Sequence, residues 1–230
     1  MPLVVIHEDN HLLAVHKPAG LLVQGDRSGD PTLLEEARAH LKQAYAKPGN
    51  VYVGLVHRLD RNVSGLVLLA RTSKAAGRLS AAFREHRVRK RYLAVVLGRP
   101  PAGEAELTAW LAADGDDRGV TRAAAVPFAG ARESLLRYRL RGHEDGLSLV
   151  EVEPVTGRRH QIRAQLALIG CPLLGDVKYG APGRLADRRL GLHAWRLELE
   201  HPVGGAPLTL TAEPDGTFPW PPAGTGRNEP

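Results

Sequence analysis

The sequence has very little cysteine and no long apolar run. Cys171 is the single cysteine in 230 residues, which excludes an internal disulfide framework and a cysteine-rich zinc site and favours a reducing compartment. No apolar run approaches the ~18 residues of a membrane-spanning helix, and the N-terminus lacks the basic and apolar segments of a secretory signal. We therefore expect a cytoplasmic protein without membrane association, in which Cys171 is a small buried residue.

Glycine-rich phosphate loops and metal-binding clusters are also missing. The chain has no glycine-rich loop of the kind that binds nucleotide phosphates, and no predicted helix carries two of the ten histidines at His-x-x-x-His spacing. Aromatic residues make up only 5% of the chain, so each one in a motif is informative. The sequence therefore predicts neither a bound metal nor a redox or nucleotide cofactor.

What is present describes a folded, basic protein. Hydrophobic residues make up 43% of the chain, enough for one large domain or two closely associated subdomains. Lysine and arginine outnumber the acidic residues by 31 to 25, and the pI is about 9.8. This balance favours a polyanionic partner, although a net charge of +6 also occurs in ordinary globular proteins.

The hydrophobic periodicity predicts many strands and few helices. Strands are expected at 3–7, 11–16, 65–71, 91–97, 134–141, 147–152, 192–199 and 208–212, and helices at 32–46, 73–86 and 159–169. Thr32 and Glu35 are expected to form a capping box. Because strands and helices do not alternate regularly, we predict an α+β fold on a largely antiparallel sheet.

Two segments are harder to assign. Residues 98–132 are rich in Ala, Gly and Asp, and we expect a hairpin there. From Glu213 onward Pro and Gly dominate, which predicts an irregular and partly mobile tail. The sequence therefore predicts a domain at residues 1–212 and a tail at residues 213–230.

The segment most informative about function reads His-Arg-Leu-Asp-Arg-Asn-Val-Ser-Gly at residues 57–65. It places Asp60 between two arginines in a predicted turn, directly before the apolar run 66–70. An acid at this position is available for chemistry at a strand edge. The alternative is structural, since Asp and Asn before a strand commonly bond local backbone N–H groups.

Together with this segment, further blocks resemble the RluA-type pseudouridine synthases in order and spacing. They read Lys-Pro-Ala-Gly at 17–20, Lys-Arg-Tyr-Leu-Ala-Val-Val-Leu-Gly at 90–98, Thr-Gly-Arg-Arg-His-Gln-Ile-Arg at 156–163 and Leu-Leu-Gly-Asp-Val-Lys-Tyr-Gly at 173–180. The resemblance covers residues 4–211, nearly the whole chain. It implies the pseudouridine synthase fold, a mixed and largely antiparallel central sheet flanked by helices, with two subdomains around a catalytic cleft.

The resemblance implies an RNA uridine isomerase that needs no cofactor. Turning uridine into pseudouridine breaks the C1′–N1 bond, rotates the freed uracil and rejoins it through C5, so nothing is oxidised and no group is donated. One carboxylate must act at the sugar, either as nucleophile or as base. The resemblance assigns this role to Asp60. It implies structured RNA, ribosomal or transfer, as the partner, and we expect a monomer.

Arg163 matches the family arginine that keeps the catalytic carboxylate ionised. Desolvation raises the pKa of a carboxylate in a dry pocket unless a cation lies within ~4–6 Å. Without the resemblance, Arg163 would be interpreted as a solvated helix residue or a phosphate contact. Ile162 beside it is expected to line the apolar floor under the base, which differs little from an ordinary core position.

Base flipping gives roles to Tyr92 and Arg58. The target base must leave its stack to react, and Tyr92 matches the family tyrosine against which it stacks. The alternative for Tyr92 is simple packing in a strand. Arg58 resembles the residue that fills the gap in the RNA and pairs with the orphaned base. His57 is expected to shape the turn rather than to transfer protons.

Basic residues near these motifs are candidate phosphate contacts. Five of the eight residues at 84–91 are basic, namely Arg84, Arg87, Arg89, Lys90 and Arg91. Such a run is usually a solvated face, but this one leads into the strand that carries Tyr92, at the mouth of the expected site. Arg158 and Arg159 are expected at a helix N-terminus, where backbone N–H groups also favour phosphate.

The sequence departs from the family pattern at Val63, Gln165 and Cys171, where Thr, His and His are common. These departures affect the expected choice of substrate rather than activity. Because the first strand is expected at the very start of the sequence, RNA recognition is expected from the catalytic domain itself, without the N-terminal S4 module of some relatives.

Two other functions are considered. A non-catalytic RNA-binding or ribosome-assembly factor on the same fold is the main alternative, but it would need the arginines and not Asp60. A glycosidase would need a second carboxylate opposite the first. The remaining acid in the matched motifs is Asp176, which is expected to be a turn residue.

Overall fold

The computed structural model describes residues 3–46, 48–113 and 119–220. The chain forms two compact units, and each contains two stretches of sequence. Unit 1 comprises Met1–Lys90 and Ala194–Glu213, and unit 2 comprises Arg91–His193 and Pro214–Pro230. No helix in the described ranges is long and apolar enough to cross a membrane.

Unit 1 is a small sheet with two helices. Its elements are β1 (Val4–Glu8), β2 (Leu12–Lys17), α1 (Leu33–Ala44), β3 (Gly54–Leu55), β4 (Ser64–Ala70), α2 (Ser73–Arg84), β10 (Leu192–Glu200), which begins in unit 2, and β11 (Pro207–Thr211). The strand order is β1-β2-β4-β10, with β11 paired to β10 and β3 paired to β4. The predicted hairpin at the start of the chain is confirmed, since β1 and β2 are antiparallel.

The core of unit 1 lies where α2 packs against the sheet. It contains fully buried leucines from neighbouring strands, Leu12 from β2 and Leu66 and Leu68 from β4, together with Leu79 from α2. Each such buried side chain contributes about 1.5–3 kcal/mol by removal of apolar surface from water. The turn that precedes β4 is therefore attached to a strand at the centre of a packed core.

The N-terminus of α1 carries the predicted capping box. The Glu35 N–H donates to Thr32 Oγ1 at 3.2 Å, and the Thr32 N–H donates to Glu35 Oε2 at 2.9 Å. These two bonds satisfy N–H groups that have no partner within the helix. The prediction from the Thr32–Glu35 spacing is confirmed.

Unit 2 is an antiparallel sheet with one α-helix. Its elements are β5 (Arg89–Leu97), which begins in unit 1, β6 (Glu104–Ala113), β7 (Thr121–Ala124), β8 (Arg132–Glu144), β9 (Leu147–Pro154), α3 (Gln161–Leu168) and a short 3₁₀-helix (Val177–Tyr179). The strand order is β5-β9-β8-β6-β7, and every pair in it is antiparallel. Helix α3 packs against β6 and β7 through Ala164, which contacts a cluster with Ala109 and Leu111.

The segment 98–132 contains the expected hairpin. Strands β6 and β7 pair with Trp110 opposite Ala124 and Ala113 opposite Thr121. Residues 114–118 of this segment lie outside the described residues. Hydrophobic periodicity did not predict β6, because only Ala109 and Leu111 are buried in this strand and Ala109 is small. Glutamates occupy two positions in its first half, Glu104 and Glu106.

The Pro- and Gly-rich tail contains no helix or strand at residues 213–220. Phe218 packs edge-on against His193 with ring centroids 5.7 Å apart. Trp220 lies over Gly142, at the irregularity in the pairing of β8 with β9. Residues 221–230 lie outside the described residues, and the predicted boundary at residue 212 stays a prediction.

Candidate active site

Asp60 lies in the turn that leads into β4, as the sequence predicted. The Val63 N–H donates to the Asp60 carbonyl at 3.1 Å, and this bond closes the turn. Leu59 and Val63 are buried and anchor the turn, whereas Asp60 is half-buried and Arg58 is exposed. The two apolar residues are therefore buried, while Asp60 between them stays partly accessible.

A buried lysine binds the backbone of this turn. Lys17, at the end of β2, is fully buried, and its Nζ donates to the carbonyls of Pro18, Leu21 and Arg61 at 2.8–2.9 Å. Three carbonyl acceptors match the three N–H groups of the ammonium form. Burial nevertheless lowers the pKa of Lys17 to about 7, while the Asp60 carboxylate opposes this shift by raising it. Lys17 thus joins the 17–20 motif to the turn that carries Asp60.

The depressed pKa of Lys17 predicts a pH-dependent stability. Between about 7 and the usual 10.5, the unfolded chain holds a proton that the folded chain has lost. The free energy of unfolding therefore rises with pH in this window, and Lys17→Met removes that part of the rise. We expect the difference between wild type and variant to grow by a few kcal/mol across the window, as measured by urea unfolding at several pH values. Parallel pH curves for the two proteins would show that Lys17 is not desolvated.

Gly65, the last residue of the 57–65 motif, lies at a close approach between strands. A Cβ at this position would be 2.2 Å from the Ala194 carbonyl oxygen and 2.6 Å from the Ala194 nitrogen, both in β10. Its φ of 114° also disfavours a side chain. The glycine lets β4 approach β10 directly after the turn, which fixes where Asp60 leaves the sheet.

His57 has a structural role, as predicted. Its Nε2 accepts a hydrogen bond from the Leu68 N–H at 2.8 Å, and its ring stacks on Phe83 of α2 at 4.7 Å. Desolvation, and to a lesser extent the Lys90 charge, lowers the pKa of His57 to about 3. The imidazole is therefore neutral at physiological pH, and it ties the start of the motif to β4.

In unit 2, Arg163 forms a buried ion pair with Asp176. Its Nε and Nη2 donate to Asp176 Oδ2 and Oδ1 at 2.7 and 2.8 Å, which is the bidentate arrangement. The side chain of Asp176 is fully buried, and that of Arg163 is 9% exposed. Two interpretations from the sequence are corrected here: Arg163 is not a solvated helix residue, and Asp176 is not a simple turn residue.

Tyr179 covers one face of the same guanidinium. The Arg163 Cζ lies 4.9 Å from the centre of the Tyr179 ring. The Tyr179 hydroxyl accepts from the Thr121 N–H at 2.8 Å and contacts His160 Nδ1 at 2.9 Å. Arg163 is therefore held by a carboxylate in its plane and by an aromatic ring over its face.

Buried glutamines attach α3 to the sheet of unit 2. Gln161 Nε2 donates to the Leu135 carbonyl at 2.9 Å, and Gln165 Nε2 donates to the Leu107 carbonyl at 2.9 Å. Gln165, a departure from the family pattern, thus bonds to the backbone of β6. Ile162 is buried between these residues, as expected for the floor of a pocket or for the core.

Arg158 and Arg159 do not occupy the helix N-terminus that the sequence predicted. Helix α3 begins at Gln161, and the residue before it, His160, has φ 51° in the left-handed region. The Arg158 N–H donates to Gln161 Oε1 at 3.0 Å. Both arginine side chains are exposed in the segment before the helix, so they stay candidate phosphate contacts without the helix end.

Tyr92 lies on β5 of unit 2 and is half-buried. It pairs with Val152 of β9, and the two preceding residues of the strand are Lys90 and Arg91. The predicted path from α2 through the basic run into the Tyr92 strand is confirmed. Arg91 lies 3.5 Å from Glu151 and 3.8 Å from Glu153, both on β9.

The cations of the basic run 84–91 differ in burial. Arg84, Arg87 and Arg89 are exposed, whereas Lys90 and Arg91 are half-buried. Burial lowers the pKa of Lys90. Arg87 is ion-paired with Glu85 at 2.8 Å and Arg89 lies 3.7 Å from Glu198, but exposed pairs of this kind are weak. The exposed arginines are therefore the stronger candidates for contact with a polyanion.

Each unit contributes part of the predicted set. Unit 1 holds Asp60, Arg58 and most of the basic run, and unit 2 holds Tyr92, Arg163, Ile162, Arg158 and Arg159. Sequence reasoning gave no role to Lys17, Tyr179 or Thr121 and misinterpreted Asp176. Three of these, Lys17, Asp176 and Tyr179, stood inside motifs already recognised, and their place in those motifs was the signal that could have identified them. Among the described residues, no three His, Cys, Asp or Glu side chains are grouped so that they could hold a metal ion.

Comparison with known proteins decides the family. The model of the RNA pseudouridylate synthase family matches residues 11–168. The chain belongs to this family. The ribosomal large subunit pseudouridine synthase D of Zymomonas mobilis is 34% identical over 223 residues, which cover 93% of this chain and 69% of that protein. The tRNA pseudouridine synthase C of Salmonella typhi is 36% identical over 245 residues, which cover 94% of this chain and 87% of that protein.

Solved structures agree with the fold. Human RNA Pseudouridylate Synthase Domain Containing 4 matches with a TM-score of 0.78 and 25% identity, over 94% of this chain and 90% of that one. Human RNA Pseudouridylate Synthase Domain Containing 1 matches with a TM-score of 0.73 at the same identity, over 94% of this chain and 85% of that one. The α+β pseudouridine synthase fold and the resemblance to RluA-type enzymes are confirmed, and the protein is a pseudouridine synthase that acts on RNA.

Proposed function

We propose that this enzyme isomerises specific uridines of structured ribosomal or transfer RNA in the cytoplasm, as a monomer and without a cofactor. Relatives named for the large ribosomal subunit and for tRNA match nearly the whole chain at similar identity, which supports both RNA classes. The observation that supports the proposal most is Asp60 in the turn held by buried Lys17, because the reaction requires one fixed carboxylate at the ribose.

Asp60 carries the chemistry in this proposal. Its carboxylate acts on the ribose, either at C1′ as nucleophile or on a ribose proton as base. The C1′–N1 bond breaks and its electron pair leaves with uracil, which rotates. C5 then bonds to C1′ as the Asp60–C1′ bond breaks or, on the base route, as the ribose proton returns. The proton on C5 is finally lost and N1 gains one, so the product is an isomer of the substrate. Each uridine converted therefore releases one hydrogen from C5, which gives a direct assay with tritium at that position.

Three residues of unit 2 serve the flipped base. Tyr92 provides the stacking surface, Ile162 the apolar floor, and Arg163 the positive charge that favours ionised Asp60. The pairing of Arg163 with Asp176 supports a fixed position for that charge, since a bidentate guanidinium has little freedom. Arg58 fills the gap that the flipped nucleotide leaves.

Arg84, Arg87, Arg89, Lys90, Arg91, Arg158 and Arg159 contact phosphates in this proposal. We expect Arg84→Gln with Arg87→Gln to weaken RNA binding at low salt and to flatten the plot of log affinity against log salt by about 0.7 per lost contact on single strands. Turnover at saturating RNA is expected to change little, because phosphate contacts stabilise ground and transition states alike. Filter-binding titrations at several salt concentrations measure the slope.

The matched control replaces two arginines whose ion pairs link neighbouring strands, outside the run 84–91. Arg137 and Arg139 are ion-paired with Glu106 and Glu104 at 2.9 and 3.1 Å across β6 and β8. Their double Gln variant removes the same net charge and is expected to keep the wild-type slope. If the two double variants behaved alike, the run 84–91 would be an ordinary solvated face, and the phosphate path would have to lie elsewhere.

The substrate is identified by mapping pseudouridines in the total RNA of a strain that lacks this gene. We expect at least one uridine in ribosomal or transfer RNA to stay unmodified, and the modification to return when the wild-type gene is restored. A map identical to that of the parent strain would contradict the proposed substrate classes.

A further inference from the structure

The Tyr179 hydroxyl joins elements that are distant in sequence. It accepts a hydrogen bond from the Thr121 N–H at the start of β7, and it lies 2.9 Å from His160 Nδ1 at the start of α3. The two rings meet edge to face at 88°. Burial raises the pKa of Tyr179, so the hydroxyl keeps its proton and can donate it to His160. The hydroxyl therefore acts both as an acceptor, from the Thr121 N–H, and as a donor, to His160 Nδ1.

The hairpin of β6 and β7 also meets the start of α3 at a second point. A Cβ at Gly119, two residues before β7, would lie 2.9 Å from the Arg159 guanidinium. The glycine therefore allows the hairpin backbone to lie directly against the arginine. Together with the Thr121 bond, this contact places the hairpin against the segment that precedes Arg163.

We propose that Tyr179 is a positioning residue that couples the hairpin of β6 and β7 to the guanidinium of Arg163. Asp176 fixes the guanidinium within its plane through two hydrogen bonds, and the Tyr179 ring limits its motion perpendicular to that plane. Because Thr121 and His160 hold the hydroxyl, displacement of the hairpin releases the ring and one face of Arg163. The orientation of the Arg163 guanidinium thus depends on the position of β7.

The inference rests on the proposed role of Arg163 and adds a residue that does not itself touch the RNA. Simple packing is the competing explanation, because Tyr179 also contacts the small apolar cluster around Ala109 and Ala164. The two explanations differ in what the hydroxyl does. Packing needs only the ring, whereas coupling to the hairpin needs the oxygen as acceptor for Thr121.

The test compares Tyr179→Phe with Tyr138→Phe under single-turnover conditions at saturating RNA. Tyr138 is a buried tyrosine of β8 whose hydroxyl has no hydrogen-bond partner in the described part of the chain, so it is a matched control for loss of a hydroxyl. We expect Tyr179→Phe to slow tritium release about five- to tenfold, the range for one lost hydrogen bond. The RNA concentration at half-saturation is expected to stay unchanged, the melting temperature to fall by only about 2–4 °C, and Tyr138→Phe to keep the wild-type rate.

Arg163→Met, measured in parallel, separates this inference from the proposed function. If Tyr179→Phe kept the wild-type rate while Arg163→Met was slow, the inference would be wrong and the role of Arg163 would stand. A slow Tyr179→Leu beside a wild-type Tyr179→Phe would assign Tyr179 to packing. An Arg163→Met protein with the wild-type rate would overturn both. We further expect Tyr179→Phe to cause no additional loss in an Arg163→Met background. A rise confined to the half-saturating RNA concentration would mean that Tyr179 binds RNA, and this would also overturn the inference.

Discussion

Asp60→Asn is expected to slow isomerisation by at least about a hundredfold while RNA binding stays within a few-fold of wild type. The amide keeps the shape of the carboxylate but has neither its charge nor its basicity, and it is a poor nucleophile. Loss of acid–base help alone costs about 10²–10⁴-fold in rate. Tritium release from C5-labelled RNA measures turnover, and filter binding at constant salt measures affinity.

The control for this substitution is Asp145→Asn in the turn between β8 and β9. Asp145 is exposed and has φ 49°, a conformation that Asn accepts readily. The variant makes the same chemical change in unit 2 and is expected to keep full activity. Turnover by Asp60→Asn above about a hundredth of the wild-type rate would show that Asp60 is not the catalytic carboxylate.

Arg163→Met is expected to lower both activity and stability. It removes the proposed counter-charge of Asp60, and it also leaves the fully buried Asp176 carboxylate without its partner. Breaking one side of a buried ion pair costs about 3–5 kcal/mol, so the free energy of unfolding must be measured beside the rate. A slow but unfolded protein would say nothing about chemistry.

Adding Asp176→Asn to Arg163→Met separates the two effects. A neutral amide at 176 no longer needs a counter-charge, so the double variant is expected to regain much of the lost stability. Its rate is expected to stay low, because the charge at 163 is still missing. Recovery of turnover together with stability would show that Arg163 acts only as a structural partner of Asp176.

The sequence was a good guide wherever local patterns decide structure. The capping box at Thr32, the turn before β4 and the hairpin of β1 and β2 follow from side-chain pattern and spacing, and the structure agrees with them. The start of α3 was placed too early because residues 158–160 are compatible with a helix. The left-handed backbone of His160 and the side chain of Gln161 determine the true start, and neither leaves a periodic signal.

The missing parts of the site depend on contacts between distant residues. Asp176 was interpreted as a turn residue because a carboxylate beside glycine usually is one. Its burial against Arg163 arises from the packing of α3, which no local pattern specifies. Lys17 is similar, since its acceptors include the carbonyl of Arg61, far along the chain. The partners of such buried charges cannot be predicted from local sequence patterns, because only the fold brings the residues together.

The central proposal is that Asp60 and Arg163 act on the same chemical step. Groups that act as one unit show strongly non-additive losses. The decisive measurement is therefore the single-turnover rate of tritium release by Asp60→Asn with and without Arg163→Met, under conditions where both proteins are folded. We predict that the second substitution slows the Asp60→Asn protein by less than about threefold, since the step it assists is already lost. A further loss as large as Arg163→Met causes in the wild-type background would contradict the account.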